Sequence, residues 1–296
     1  MNRREAGFLL LTSHLGDPDR RPLTTAQLRD LAGRIQSLEK PAEDRELEPG
    51  DLIRLGYGRS MAEHICRLLS DEALLKYYLQ KGRASGCVPV TRVSEDYPHI
   101  LRQRLGLDSP GCLWCKGDQT LLNTPAVSLV GSRDLLEPNR EFARAVGIHA
   151  ARQGLTLVSG NARGADRTAQ DACLEAGGRV ISIVADDLCR QPLRENILYV
   201  SEDGYAEPFS AQRAISRNRC IHALGQVVFV AQSALEKGGT WDGTVKNLRK
   251  GISPVLCFQD GSEASMELEQ LGAWLISLEQ LSAFEDLPQS ETLFDR

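Results

Sequence analysis

Apolar positions along the chain repeat with two different periods, and the change near residue 85 divides the sequence. Before residue 85, apolar residues recur three and four positions apart, which predicts amphipathic helices. One such helix follows Thr24 and Thr25, which can cap its N-terminus. After it, short continuous apolar runs alternate with helical patterns. These runs are 126–130, 156–160, 179–184, 226–231 and 253–258. Continuous apolar strands separated by helices predict an α/β protein with a Rossmann-like, mostly parallel open sheet and helices on both faces.

The division predicts a helical N-terminal domain at 1–84, a Rossmann-like domain at 85–285 and an acidic tail at 286–296. The N-terminal part contains Gly56-Tyr57-Gly58 between two predicted helices, similar to a helix-hairpin-helix turn. The N–H groups at the start of the second helix can hold a phosphate in such turns. Packing is the favoured alternative, because Arg59 is the one basic residue that directly follows. The charged segment 40–51 reads as a connector.

Composition narrows the function classes without choosing one. Hydrophobic residues make up 42% of the 296 residues, charged residues 25%, and the formal net charge is -5. This balance argues against a disordered chain and against a globally basic nucleic-acid binder, but leaves room for a local basic site. No apolar stretch approaches membrane-spanning length and no export signal is visible, so we expect a cytoplasmic protein with reduced cysteines.

Cys112 and Cys115 form a CxxC motif that allows two interpretations. A structural zinc site normally takes a second such pair or nearby histidines, and the five histidines do not cluster there. The favoured alternative is a short strand, CLWC, in which both thiols pack as small hydrophobic groups.

Glycine-bearing turns follow three of the predicted strands. Small residues let a backbone approach a phosphate closely, helix starts attract its charge, and arginine adds a fork of donors. Because strand ends meet at one edge of such a sheet, we predict a single anionic site there; the alternative is that the glycines only permit tight turns. The residues are Gly131, Ser132 and Arg133, then Ser159, Gly160, Arg163 and Gly164, then Gly238, Gly239 and Thr240.

A basic segment precedes the strand at 226–231. It contains Arg213, Arg217 and Arg219, and either forms a solvated helix face or lines a groove for single-stranded nucleic acid. Tyr205, Phe209 and Trp241 are candidate base-stacking residues, although core or turn packing is the favoured interpretation of each taken alone. Motifs for NAD binding, a P-loop, a zinc protease or a serine hydrolase are absent, so we expect no cofactor, metal or catalytic residue.

The ordered motifs resemble the DNA-processing protein A (DprA, also Smf) family over about 85–285. The match runs through CLWCKGDQTLLNTPAVSLVGSR, SGNARGAD, SRNRCIHALGQVVFV and LGAWLISLEQL. The resemblance implies single-stranded DNA binding, a homodimer formed through the Rossmann-like domain, and loading of a RecA-type recombinase in natural transformation and recombination, without catalytic activity. By motif, the first two turns together with Arg217, Asn218 and Arg219 would contact DNA. Asp166 would orient its turn.

Several positions depart from the family pattern. Gln170 stands where the family has histidine, and GGTWDGT stands where it has SGSLxTA. The proline that precedes the arginines in the family is missing, and Ile215-Ser216 is found there instead. We also expect no winged-helix domain after the tail. Two alternatives therefore stay open. One is a nucleotide sensor. The other is a nucleoside-monophosphate phosphoribohydrolase of the same fold, although the predicted helix at 244–250 lacks the glutamate that such enzymes use.

Overall fold

The computed structural model describes residues 1–36 and 47–283, so the predicted acidic tail and most of the charged connector lie outside the described residues. The strands alternate with helices after residue 88. The strands are β1 Val88–Thr91, β2 Cys112–Lys116, β3 Ala126–Val130, β4 Thr156–Ser159, β5 Arg179–Ile183, β6 Ile197–Ser201, β7 Val228–Val230, β8 Val255–Phe258 and β9 Trp274–Ile276. The helices are α1 Arg3–Thr12, α2 Thr25–Gln36, α3 Pro49–Arg54, α4 Arg59–Ser70, α5 Glu72–Ala84, α6 His99–Leu105, α7 Glu137–Arg152, α8 Ala165–Glu175, α9 Ala211–Ser216, α10 Asn218–Leu224, α11 Gly238–Lys250, α12 Glu263–Gln270 and α13 Leu278–Ala283.

All the strands form one sheet in the order β1-β2-β6-β5-β4-β3-β7-β8-β9. The seven strands from β6 to β9 run parallel, and β1 and β2 add an antiparallel flank beside β6. The predicted Rossmann-like α/β fold is confirmed. Strands β1, β6 and β9 were not among the predicted apolar runs.

Two apolar layers sandwich the sheet, because successive side chains of each strand point to opposite faces. In β3, Val127 and Leu129 pack toward α7 and α8, whereas Ala126 and Val130 face α10 and α11. Both faces of the central strands are therefore buried, which explains their continuous apolar runs. Glycine also ends two of the helices: Gly154 after α7 and Gly177 after α8 have φ values of 68° and 79°.

The CxxC segment is a strand, and its two thiols face opposite sides of the sheet. Cys112 belongs to the layer with α7 and Cys115 to the layer with α10. Both are buried, and each of the eight cysteines is a free thiol. The prediction that these thiols pack as small hydrophobic groups is confirmed, because side chains on opposite faces cannot share one metal ion.

The helical N-terminal residues rest against the antiparallel flank through three aromatic rings. Tyr78 of α5, Trp114 of β2 and Tyr205 have ring centroids 4.4 to 5.2 Å apart. The Tyr205 hydroxyl donates to the Tyr78 carbonyl at 2.8 Å. Helix α5 ends at residue 84 and β1 begins at 88, near the predicted boundary. Division into separate domains stays a prediction.

The Gly56-Tyr57-Gly58 turn joins α3 to α4 and is covered by α2. The Arg34 guanidinium lies 4.6 Å from the centre of the Tyr57 ring and donates to the Leu55 carbonyl at 2.7 Å. The Tyr57 hydroxyl donates to Asp30 at 2.6 Å. Gly56 has a φ of 90°, and a methyl group there would overlap the Arg34 guanidinium. These contacts show that the turn packs against α2, as the favoured interpretation of the sequence predicts.

A buried arginine joins the N-terminal helices. Arg20 is 6% exposed and donates to the carbonyls of Leu10 and Ser13 at the end of α1 and of Leu68 in α4. Its Nε lies 3.1 Å from Asp71, which precedes α5. One guanidinium thus satisfies backbone acceptors of two helix ends that would otherwise be buried without partners. None of the described helices is long and apolar enough to cross a membrane.

Replacing Arg20 by lysine is expected to lower the free energy of unfolding by about 2 to 3 kcal/mol, because an ammonium cannot reach all four acceptors. Chemical denaturation measures this change. Arg29→Lys on the exposed side of α2 is the matched control and should stay within about 0.5 kcal/mol of the unmodified protein. Equal stabilities for the two variants would refute the role given to Arg20.

Acid should destabilise the fold through His222. Burial lowers the pKa of His222 from 6.5 to about 4, since its ring is enclosed between α10 and α11. The unfolded chain binds a proton at His222 below pH 6.5 and the folded chain only below about 4, so stability falls as the pH drops between those values, by up to about 3 kcal/mol. His222→Gln should flatten this part of the stability–pH curve. His99→Gln, an exposed matched control, should not.

Candidate functional site

A cleft of about 480 Å³ opens at the carboxyl ends of β3 and β7. In the sheet β3 lies between β4 on one side and β7 on the other. The order of the strands therefore reverses at this point. Ligands of open α/β sheets bind at such points. Eight of the predicted site residues line the cleft: Gly131, Ser132, Arg133, Arg217, Asn218, Gly238, Gly239 and Thr240.

The turn after β3 is joined by backbone hydrogen bonds to both of its neighbours. Ser132 N–H donates to the Gln232 carbonyl beyond β7 at 3.0 Å, and its carbonyl accepts from Ala165 N–H at the start of α8 at 3.1 Å. The Ser132 N–H is therefore engaged within the protein. The Arg133 side chain stands exposed at the rim of the cleft.

Gly164 allows the turn after β4 to pack against the turn after β3. Its φ is 86°, and a methyl group there would overlap the carbonyl oxygens of Ser132 and Arg133. Gly131 faces the same contact, since a methyl group on it would come within 2.5 Å of Ala165 Cβ. Gly164 thus brings backbone against backbone, and Gly131 lets the first turn approach the Ala165 side chain. Contact of these glycines with DNA stays a prediction.

The other predicted residues lie around the cleft rather than along it. Ser159 is fully buried, and Gly160 lies beneath the side chain of Arg217. Arg163 is largely exposed and pairs with Asp134 at 2.5 Å. Arg219 turns away toward Glu202, 2.6 Å distant at the end of β6. The structure therefore brings the β3, α10 and α11 residues together and leaves Ser159, Gly160, Arg163, Gly164 and Arg219 outside the lining.

Arg217 supplies a buried positive charge to the cleft. It is 7% exposed, and its Nε and Nη1 have no hydrogen-bond partner among the described residues. Its nearest acidic partner is Asp166, whose Oδ2 lies 3.9 Å from Nη2. A guanidinium keeps its charge in proteins, so the charge is incompletely compensated and favours an anion in the cleft.

Asp166 holds its own turn, as predicted. Its Oδ2 accepts from Ala162 N–H at 3.2 Å, four residues earlier. Burial raises the pKa of this carboxyl, and the positive charge of Arg217 opposes the rise. A carboxyl whose ionised form is disfavoured offsets the arginine charge only in part.

The α9–α10 segment separates the three arginines that the sequence places together. Helix α9 ends at Ser216 and α10 begins at Asn218, so Arg213 and Arg217 do not share a continuous helix face. Arg213 lies 2.9 Å from Asp203 and donates to the carbonyls of Ala185, Glu207 and Pro208. Acidic and backbone acceptors bind Arg213 and Arg219, so Arg217 is the one of the three that lines the cleft, and a basic groove common to all three stays a prediction.

Helix α11 closes the third side of the cleft. Its N-terminus begins at Gly238, and the Gly239 carbonyl accepts from Asn218 Nδ2 at 3.0 Å. The first N–H groups of a helix lack intrahelical acceptors, so this end attracts negative charge. Lys237 and Ser233 also line the cleft, and both were missed in the sequence. Lys237 directly precedes the glycine pair, which is the signal that identified its neighbours.

The aromatic candidates divide by burial. Tyr205 and Trp241 are buried at 1% and 8% exposure, whereas Phe209 is 57% exposed. Only Phe209 of these three can present its ring to a ligand without repacking. No group of three or more potential metal ligands occurs among residues 1–36 and 47–283. The cleft is suited to binding an anion, because one buried arginine, one exposed arginine, a lysine and a helix N-terminus line it.

Comparison with known proteins gives this site a family. A family model described as DNA recombination-mediator protein A matches residues 89–273. The chain belongs to this family. A curated relative, DNA processing protein DprA of Streptococcus pneumoniae, is 30% identical over 259 residues, which are 82% of this chain and 89% of the relative. Protein Smf of Escherichia coli is 30% identical over 156 residues, 49% of this chain and 41% of that protein.

Solved structures of DprA proteins share the fold. The X-ray structure of DNA processing protein A from S. pneumoniae has a TM-score of 0.73 at 23% identity and covers 97% of this chain and all of that chain. A structure of DNA processing protein A from Helicobacter pylori, whose description concerns its single-stranded DNA binding mode, has a TM-score of 0.56 at 23% identity. It covers 70% of this chain and 95% of that one.

Gly164→Ala is expected to lower the free energy of unfolding by about 3 kcal/mol or more, because left-handed backbone strain adds to overlap with two carbonyl oxygens. Gly154→Ala is the matched control: its φ is also positive, but nothing lies within 4 Å of the added methyl group, so about 1 to 2 kcal/mol is expected. Denaturant titration of both variants tests the close packing of the turns. A Gly164 variant no less stable than the Gly154 variant would contradict it.

Proposed function

We propose that the chain binds single-stranded DNA as a recombination mediator, with phosphates seated in the cleft between the β3 turn, α10 and the start of α11. The observation that carries the proposal is Arg217. Its guanidinium is more than nine-tenths buried at the cleft, with Nε and Nη1 unpaired among the described residues. A bound phosphate would supply the charge that Asp166, 3.9 Å away, supplies only in part.

The surroundings suit a backbone rather than a particular base sequence. Arg133, Lys237 and the α11 N-terminus surround Arg217 with positive charge. These groups recognise phosphate oxygens, which every nucleotide carries. Family membership supports the same ligand, since the description of the H. pylori protein concerns single-stranded DNA. We propose a binding role without catalysis, and propose Gly131, Ser132, Gly238, Gly239, Thr240 and Asn218 as further contacts.

Two partners extend this proposal. A homodimer and a RecA-type recombinase are the partners that the family resemblance implies. Sedimentation of the purified chain tests the first, with a mass near twice 32.6 kDa expected. Stimulation of recombinase filament formation on coated single strands tests the second.

The ligand itself is tested by fluorescence anisotropy of a labelled oligo-dT, titrated with protein at several salt concentrations. We expect binding that weakens as salt rises, because bound phosphates release counterions. Unlabelled duplex of equal length and AMP serve as competitors. Displacement by AMP at modest concentration would instead favour the nucleotide sensor, and release of adenine from AMP would favour the phosphoribohydrolase.

Arg133→Ala is expected to weaken oligo-dT binding about three- to tenfold and to reduce the salt slope by about 0.7, the value for one lost phosphate contact on a single strand. The loss should be similar for every base sequence. Arg144→Ala on α7, which is also an exposed arginine and is paired with Glu175, is the matched control and should bind normally. An unchanged salt slope for Arg133→Ala would remove this residue from the interface.

A further inference from the structure

We infer that Gln170 is a positioning residue for the cleft: it fixes the Gly160 peptide on which the Arg217 guanidinium rests. The inference rests on the proposed function, because it concerns how the same cleft is held ready for a phosphate. Gln170 lies on α8, 3% exposed, and does not line the cleft itself.

One buried carbonyl collects an unusual number of donors. The Gly160 carbonyl accepts from Gln170 Nε2, from Ser159 Oγ at 3.2 Å and from Ser182 Oγ at 3.3 Å. Gln170 Nε2 also lies within hydrogen-bond distance of both hydroxyls, at 2.7 Å for Ser159 and 3.2 Å for Ser182, so its two N–H groups are shared among three acceptors. The glutamine amide is thus the centre of the cluster, and it orients both serine hydroxyls toward the same acceptor.

The cluster holds a residue that has no side chain to fix it. A methyl group on Gly160 would overlap Arg217 Nη1 and Asp166 Oδ2, so a side chain at this position would displace the charge pair. Glycine is also the residue with the greatest backbone freedom. The absence of a side chain at Gly160 makes room for Arg217, but it also leaves the Gly160 backbone without a side chain to hold it. The hydrogen bonds to the Gly160 carbonyl restrict the rotation of this peptide.

The position of Arg217 follows from this restraint. Its guanidinium packs directly on the Gly160 backbone, and its pairing with Asp166 is long at 3.9 Å. Nε and Nη1 have no partner in the described part of the chain that could hold the group by themselves. Contact with a fixed Gly160 is consequently the main constraint on where the positive charge lies.

The test uses the full chain and labelled oligo-dT, with Gln170→Met to remove the donors while keeping the shape. We expect about tenfold weaker binding, because a displaced Arg217 would lose a charged hydrogen bond to a DNA phosphate. The salt slope should fall by about 0.7, the value for one phosphate contact. In an Arg217→Met background the same change should alter affinity less than about twofold, since the group being positioned is gone. Gln153→Met, at the other end of the sheet after α7, is the matched glutamine control.

The outcomes separate the two proposals. No salt-sensitive binding by the unmodified chain overturns the proposed function. Normal binding by the unmodified chain with equal affinity and salt slope for Gln170→Met overturns the positioning role. An equal loss with and without Arg217 also overturns it, because a merely structural residue would act independently of that arginine. Gln170→His, whose ring N–H can donate to the carbonyl, should restore at least half of the lost salt slope.

A second variant covers the case in which Gln170→Met fails to fold. Ser182→Ala removes one donor from the Gly160 carbonyl and leaves Gln170 in place. We expect a smaller loss of affinity, about threefold, that again disappears in the Arg217→Met background. Unchanged binding by Ser182→Ala, or a loss that persists without Arg217, would overturn the inference.

Discussion

Close backbone packing between the turns at the carboxyl edge of the sheet is the constraint on which the site depends. The turn after β4 reaches the turn after β3 only because Gly164 has no side chain, and Arg217 reaches Asp166 only because Gly160 has none. Two absent methyl groups thus determine where the charge of the cleft lies. The result is a site assembled by contact between loops, with the sheet beneath serving to set their spacing.

The need to hold these turns in one arrangement also explains why the interior around the cleft is polar. Ser128, Ser159 and Ser182 lie fully buried in β3, β4 and β5, where apolar side chains would be the simpler choice. Each hydroxyl donates to a carbonyl: Ser128 to Ile221, and the other two to Gly160. Buried polar groups of this kind are stable only when fully partnered, and they select one arrangement among several of similar compactness.

The sequence was most informative where a single strand or turn carries the signal. Runs such as 126–130 predicted buried strands because both faces of those strands are covered, and the glycines after them predicted the edge at which the cleft opens. β9 was missed since its pattern is short and Trp274 is 45% exposed. The roles of Arg213 and Arg219 were not visible because their partners, Asp203 and Glu202, follow a strand that was itself unrecognised. Spacing along a helix cannot show which side chains a distant loop will bind.

The antiparallel flank has a consequence for how the molecule forms. β2 pairs with β6 through Trp114 and Ser201, residues separated by a large part of the chain, whereas β3, β4, β5 and β6 follow one another as neighbours. Closing so long a loop is entropically costly until its partner strand is in place. The flank and the helices that dock on it precede β6 in the chain, yet they are expected to join the sheet only after β6 has formed.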